Sequence, residues 1–118
     1  MSKTVLIVDD SMVSRMMVKE IVQAHIPDVT IIEASGGHQA LEQITPEIDI
    51  DIALIDYNMP EMNGLELIFS LKLIVAIPKR ALLTANIQDS IRQQAEDAGV
   101  TFLNKPITEE VIGKFLNS

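Results

Sequence analysis

Five short apolar runs punctuate the chain, and between them the apolar residues recur at helical rather than alternating spacing. The runs are Thr4 to Val8, Val29 to Ile32, Ile52 to Ile55, Arg80 to Thr84 and Val100 to Leu103. The unbroken Ile52 to Ile55 run predicts a strand buried on both faces, as in a parallel sheet, the first run predicts a buried strand, and the other three are read as further strands. After the first run, Ser11 or Ser14 supplies a cap for a helix whose Val13, Met16, Met17, Val18, Ile21 and Val22 form one broad stripe, with Arg15, Lys19 and Glu20 off it. The methionines of that stripe are read as core filling. Gly36-Gly37 breaks the chain before a short helix carrying Ala40, Leu41 and Ile44. A third helix runs from Leu65 to about Leu73, and its Leu65, Leu67, Ile68, Phe69, Leu71, Leu73 and Ile74 cannot all face one core. Some of them must be exposed, as an interaction patch or under a neighbouring loop. Asn86 and Asp89 introduce a fourth helix with Ile87, Ile91, Ala95 and Ala98 on one face, which Gly99 ends, and Thr108-Glu109-Glu110 opens a fifth.

Strands alternating with helices imply a parallel sheet covered by helices on both faces. In such a sheet the carboxyl ends of the strands share one edge, and that edge is where open α/β folds place their ligand crevice. The residues at those ends are Asp9-Asp10, Asp56, Thr84 and Lys105. Asp56 is central: it closes the most apolar strand, and Pro60 and Gly64 turn the chain directly after it. Singly, each of these residues reads as a cap or a solvated side chain. Together at one edge, three acids, a hydroxyl and an amine form a chemical set.

Composition narrows what that set can be. With 118 residues, 47% of them hydrophobic and 22% charged, the chain fits one domain, 1–118, with a real core. It has no cysteine, which excludes disulfides and thiolate metal sites and suits a reducing compartment such as the cytoplasm. A net charge of −8 repels a phosphate backbone, so no direct nucleic-acid partner is expected. The apolar stretches are broken well short of a membrane span, and no signal peptide is visible. His25 and His38 lack a second ligand at metal spacing and are read as surface residues, and Glu47, Asp49 and Asp51 as a solvated loop.

Clustered carboxylates repel one another unless a cation or proton neutralises them. An all-oxygen set favours a hard divalent ion, and Mg²⁺ accepts one or two carboxylates, waters and a phosphate. Lys105 suits a phosphoryl oxygen or a resting carboxylate, and Thr84 offers a hydroxyl to another phosphoryl oxygen. A cation, an amine and a hydroxyl around one acid form an electrostatic clamp for phosphoryl transfer onto a carboxylate, here Asp56.

The motifs Val8-Asp9-Asp10, Glu33-Ala34-Ser35-Gly36, Asp56-Tyr57-Asn58-Met59-Pro60-Glu61-Met62-Asn63-Gly64, Leu83-Thr84-Ala85 and Asn104-Lys105-Pro106 follow in order across essentially the whole chain. In this order and spacing the sequence resembles a receiver domain of bacterial two-component response regulators. The resemblance implies a flavodoxin-like doubly wound fold, five parallel strands in the order 2-1-3-4-5. It implies that Asp56 accepts phosphate from a histidine kinase or histidine phosphotransfer protein. Asp10 and Asp56 would hold Mg²⁺, with Asp9 orienting through water and the backbone carbonyl of Asn58 completing the ligands. Thr84 and Lys105 would grip the phosphoryl group, the Lys105-Pro106 bond would be cis, and Phe102 would take the position of the switch aromatic. The readout would fall on the face of the fourth helix, fifth strand and fifth helix, toward a downstream target or output domain. The segment Leu73 to Arg80 departs from the family pattern in being unusually apolar and ending on two cations, and the last helix is short. Two other readings remain: a haloacid-dehalogenase-like phosphatase, which needs its nucleophile after strand one in an Asp-x-Asp pattern, and a pseudo-receiver that docks without carrying phosphate.

Overall fold

The computed structural model describes residues 3–85 and 88–118. Among the described residues ten elements alternate: β1 (Thr4–Val8), α1 (Met12–His25), β2 (Thr30–Ala34), α2 (Gly37–Gln43), β3 (Ile52–Asp56), α3 (Gly64–Lys72), β4 (Lys79–Thr84), α4 (Asp89–Asp97), β5 (Thr101–Asn104) and α5 (Glu109–Leu116). The strands form one sheet in the order β2-β1-β3-β4-β5, and every pairing is parallel. This is the flavodoxin-like arrangement that the sequence predicts.

β3 lies mid-sheet between β1 and β4, and all five of its residues are buried. A strand covered on both faces has no position for a polar side chain, hence the unbroken Ile52 to Ile55 run. One apolar layer lies under α2, α3 and α4 and gathers Leu6, Val8, Ala53, Ile55, Leu67 and Leu82. The other lies under α1 and α5 and gathers Val5, Ile7, Leu54, Leu83, Ile112 and Phe115. Alternate residues of each central strand thus serve opposite layers.

Element boundaries differ from the sequence expectation by a residue or two. β2 begins at Thr30, the partner of Thr4, and runs on through Glu33 to Ala34 because β1 offers a partner at each step. Gly99 does end α4, with φ +75°, the left-handed geometry that favours glycine. The expectation for Asn86 and Ile87 lies outside the described residues. α3 buries Leu65, Leu67, Ile68 and Leu71 and exposes Phe69 and Leu73, while Ile74 and Val75 pack partly against the core.

The methionine expectation for α1 is wrong. Only Val18 and Val22 of that helix are buried, whereas Met12, Val13, Met16 and Met17 are exposed, Met16 by 53% and Met17 by 48%. An arc of six apolar residues is wider than the strip one helix can press on a sheet. Positions 18 and 22, one turn apart, take that strip, and the amino-terminal half of α1 stands beside the carboxyl edge of the strands with its apolar side chains in solvent.

Candidate phosphoryl-acceptor site

At the end of β1, the Asp9 amide still donates to the Ala34 carbonyl of β2 at 3.1 Å. Its carboxylate then folds forward: Asp9 Oδ1 accepts from the Ser11 amide at 2.9 Å. Ser11 caps α1 through its own Oγ, which accepts from the Ser14 amide, so the strand end and the helix start are built as one turn. Asp9 is 2% exposed, whereas Asp10 faces solvent.

Asp56 is the last residue of β3 and is 3% exposed. The turn after it is held at two points, with the Tyr57 amide donating to Leu83 O and the Gly64 amide to Tyr57 O, each at 2.9 Å. Between them Glu61 sits at φ +69°, and the Met62 amide donates to Pro60 O at 2.7 Å. A capping box between Asn63 and Glu66 then starts α3. The helix starts hard against the acid's own backbone: a Cβ on Gly64 would lie 2.5 Å from Asp56 O and 2.7 Å from Leu82 Cδ2. Glycine at 64 is required by that approach.

Thr84 ends β4 and is 2% exposed; its carbonyl accepts from the Lys105 amide at 2.9 Å. Lys105-Pro106 is a cis peptide, as expected. Lys105 Nζ lies 2.7 Å from Asp56 Oδ1. The ammonium and the carboxylate form an ion pair. Carboxylate oxygens of Asp9, Asp10 and Asp56 all lie within 4.8 Å of one another. The sheet edge therefore brings together Asp9, Asp10, Asp56 and Lys105, with Thr84 at the adjoining strand end. Asn58 is exposed in the turn after Asp56. Phe102 pairs with Leu82, half-buried on the α4 side, with the Arg92 guanidinium 5.7 Å above its ring.

Burial pushes the Asp56 carboxyl up from its ordinary value, and the negative charges of Asp9 and Asp10 push it further, while Lys105 pulls it back. Burial also pushes Asp9 up against the opposing pull of the Ser11 amide and Lys105. For Lys105, burial favours the neutral amine, but Asp56, Asp9 and Asp10 outweigh it and hold the ammonium more firmly than usual. Two buried acids that resist ionisation, with a third beside them, form a site short of positive charge. The all-oxygen donors, with carboxylate oxygens of the three acids within 4.8 Å of one another, fit a hard divalent cation.

This polarity has a consequence for stability. A carboxyl raised in the folded state contributes most below its unfolded value of 3.8, and that contribution is lost as pH rises through the folded value. Asp9→Asn keeps an oxygen for the Ser11 amide and removes the charge. It is expected to raise the melting temperature of the metal-free protein at neutral pH, with the gain shrinking as the solution is acidified. Thermal melts across pH in a chelator check this; a variant less stable at neutral pH refutes it.

The sequence assigned no role at the site to two residues, although Glu33 stands in one of the motifs. Arg15, seen only as off the α1 stripe, donates through Nη1 to the Asp9 carbonyl at 2.6 Å and through Nε to Glu33 at 3.3 Å. Glu33 also accepts from Lys19 Nζ at 2.9 Å, and the two cations, Lys19 foremost, hold its carboxyl below the usual range. The signal available was two basic residues four apart on α1 and one acid near the end of the next strand.

Comparison with known proteins bears on the family and the fold. Residues 5–117 match the family model of the response regulator receiver domain. The chain is 36% identical over 118 residues to the chemotaxis protein CheY of Thermotoga maritima, covering 99% of this chain and 97% of that protein. It is 41% identical over 70 residues to the nitrate/nitrite response regulator NarL of Escherichia coli, a match that spans 58% of this chain and only 32% of that relative. Among solved structures, the chemotaxis protein CheY4 of Vibrio cholerae superposes with a TM-score of 0.84 at 28% identity, covering 99% of this chain and 98% of the other.

Proposed function

The chain belongs to the response regulator receiver family of two-component signalling, and from that premise we propose that residues 1–118 act as one phosphoacceptor unit whose acceptor is Asp56. The observation that carries the reading is the setting of that carboxylate: buried, last on the central strand, 2.7 Å from the Lys105 ammonium and beside Asp9 and Asp10.

Asp10, Asp56 and the Asn58 carbonyl would hold Mg²⁺, with Asp9 orienting through water, and the ion would supply charge neutralisation for the incoming phosphoryl group. Lys105, relieved of part of its contact with Asp56, pairs with a phosphoryl oxygen, and the Thr84 hydroxyl donates to another. An Asp56 oxygen attacks phosphorus as the donor's leaving group departs with the bonding pair, giving an acyl phosphate. The donor is a histidine kinase or histidine phosphotransfer protein in the cytoplasm. The exposed stripe of Met12, Val13, Met16 and Met17 supports docking of such a protein, because Met17 lines a groove with Asp9, Lys105 and Pro106. No helix among the described residues is long and apolar enough to cross a membrane.

Readout on the α4-β5-α5 face follows from the same placement. Thr84 drawn toward the phosphoryl group opens space on the flank of β4, and Phe102 on β5 moves toward it, loosening its Arg92 contact with α4. A downstream protein or output domain reads that change.

The test is chemical. Incubation with phosphoramidate or acetyl phosphate and Mg²⁺ is expected to add one phosphoryl group that hydroxylamine removes, and chelation of the metal to reduce uptake to background. No mass gain under saturating donor and metal would favour the pseudo-receiver instead.

A further inference from the structure

Among the described residues, Arg15 is the one basic side chain that ties the strand carrying the acid pair to its neighbour. Its side chain is 15% exposed and spans three elements: it grows from α1, contacts Glu33 on β2, and donates to the main-chain carbonyl of Asp9 at the end of β1. The 2.6 Å contact to that carbonyl is the shortest made by the guanidinium, and Glu33 on the far side fixes the direction from which it comes. The Asp9 amide is meanwhile held by Ala34 O, one residue after Glu33. Both main-chain groups of Asp9 are therefore anchored to the end of β2, one directly and one through Arg15. The peptide that Arg15 holds is the one joining Asp9 to Asp10, so its tilt sets the direction of both side chains.

We propose that Arg15, braced by Glu33, is a positioning residue that holds the Asp9–Asp10 peptide in the orientation that binds the divalent cation. The proposal rests on the metal reading above. Arg15 touches neither metal nor phosphoryl group.

The sign of its effect separates positioning from mere charge. Removing a cation close to three acids makes the site more negative, and by Coulomb's law alone Mg²⁺ would bind tighter. Loss of positioning acts the other way. Partners that orient metal ligands are worth roughly 10- to 100-fold in affinity, and Arg15→Ala is expected to weaken Mg²⁺ binding by about tenfold. Lys19→Ala removes the same charge from the same acid, Glu33, without touching Asp9, and is expected to bind Mg²⁺ no more weakly than the parent protein. Glu33→Gln leaves an acceptor for Arg15 but removes the brace's charge, and should weaken binding by less than Arg15→Ala. Arg15→Lys reaches one of the two partners and should fall between Arg15→Ala and the parent.

Metal affinity is read by titration with MgCl₂, following amide shifts of Asp10 and Ser11 and the fluorescence of Tyr57, the only tyrosine in a chain without tryptophan. Phosphorylation by acetyl phosphate is measured in parallel. The Mg²⁺ concentration for half-maximal rate should rise in Arg15→Ala while the rate at saturating Mg²⁺ stays near that of the parent, a split that general loss of structure does not give. Unchanged or tighter binding in folded Arg15→Ala overturns the proposal, as does equal weakening in Lys19→Ala. Should Arg15→Ala fail to fold, Arg15→Lys and Glu33→Gln decide by the same criterion, unchanged affinity in both being fatal. Asp10→Ala keeps the two readings apart: if it leaves affinity intact, the metal reading itself fails, whatever Arg15 does.

Discussion

Asp56→Asn is expected to abolish phosphoryl uptake while leaving the fold intact, the largest functional effect of any single substitution in the chain. Asparagine has the shape of aspartate, so β3, the turn held by Tyr57 and Gly64, and the start of α3 need not move. What it lacks is the anionic oxygen that attacks phosphorus. Asp9 and Asp10 do not replace it. Asp9 is committed to the Ser11 amide, Asp10 faces solvent, and the Lys105 ammonium lies against Asp56. Intact mass after incubation with phosphoramidate and Mg²⁺ gives the readout, with hydroxylamine lability as proof of an acyl phosphate. A variant that gained the same hydroxylamine-labile mass would remove Asp56 from the acceptor role and leave Asp9 or Asp10 as candidates.

The same experiment bears on the phosphatase alternative. That chemistry places its nucleophile after the first strand and carries an acid two residues on. Here the strand-one acids are adjacent, and one of them is turned into the start of α1 by Ser11. The buried acid with a lysine against it lies instead at the end of the third strand.

Much of this site was legible in the sequence because strand ends in a parallel sheet are legible. An apolar run stops where the chain leaves the two-sided core, and the polar residue that stops it is at the edge. Val8 to Asp9, Ile55 to Asp56 and Leu83 to Thr84 are three such stops, and they meet in space because β1, β3 and β4 are adjacent. The burial of α1 was not legible. Val13, Met16, Met17, Val18, Ile21 and Val22 are equally apolar, and only the sheet's extent decides that Val18 and Val22 reach it while the methionines overhang. Periodicity reports which residues share a face and carries no information on how far the opposing surface extends. The roles of Arg15 and Glu33 were missed for a related reason. Their partnership crosses from helix to neighbouring strand, and the atom they serve, the Asp9 carbonyl, belongs to the backbone, which a residue-type pattern does not display.

Gly64→Ala is expected to be the most damaging small substitution outside the acids. The added methyl would sit 2.5 Å from Asp56 O and 2.7 Å from Leu82 Cδ2, well inside van der Waals contact. Leu82 could change rotamer, but the Asp56 carbonyl could not move away without disturbing the end of β3, which is paired with Leu83 on one side and followed at once by the Tyr57–Leu83 hydrogen bond. Overpacking against fixed backbone costs about 3 kcal/mol, which for a domain of this size lowers the melting temperature by on the order of 10 °C. The strain is not confined to stability. Relief comes from displacing α3 or from tilting Asp56, and either change alters the distance between the acid and Lys105. Phosphorylation by acetyl phosphate should therefore slow even at temperatures where the variant is folded. Gly36→Ala is the control, since a methyl there meets nothing within 4 Å and its extended backbone suits any residue. Denaturant melts and phosphorylation rates of both variants test the argument. If Gly64→Ala matched Gly36→Ala in both, the close approach of α3 to Asp56 would not be what fixes the acid in place.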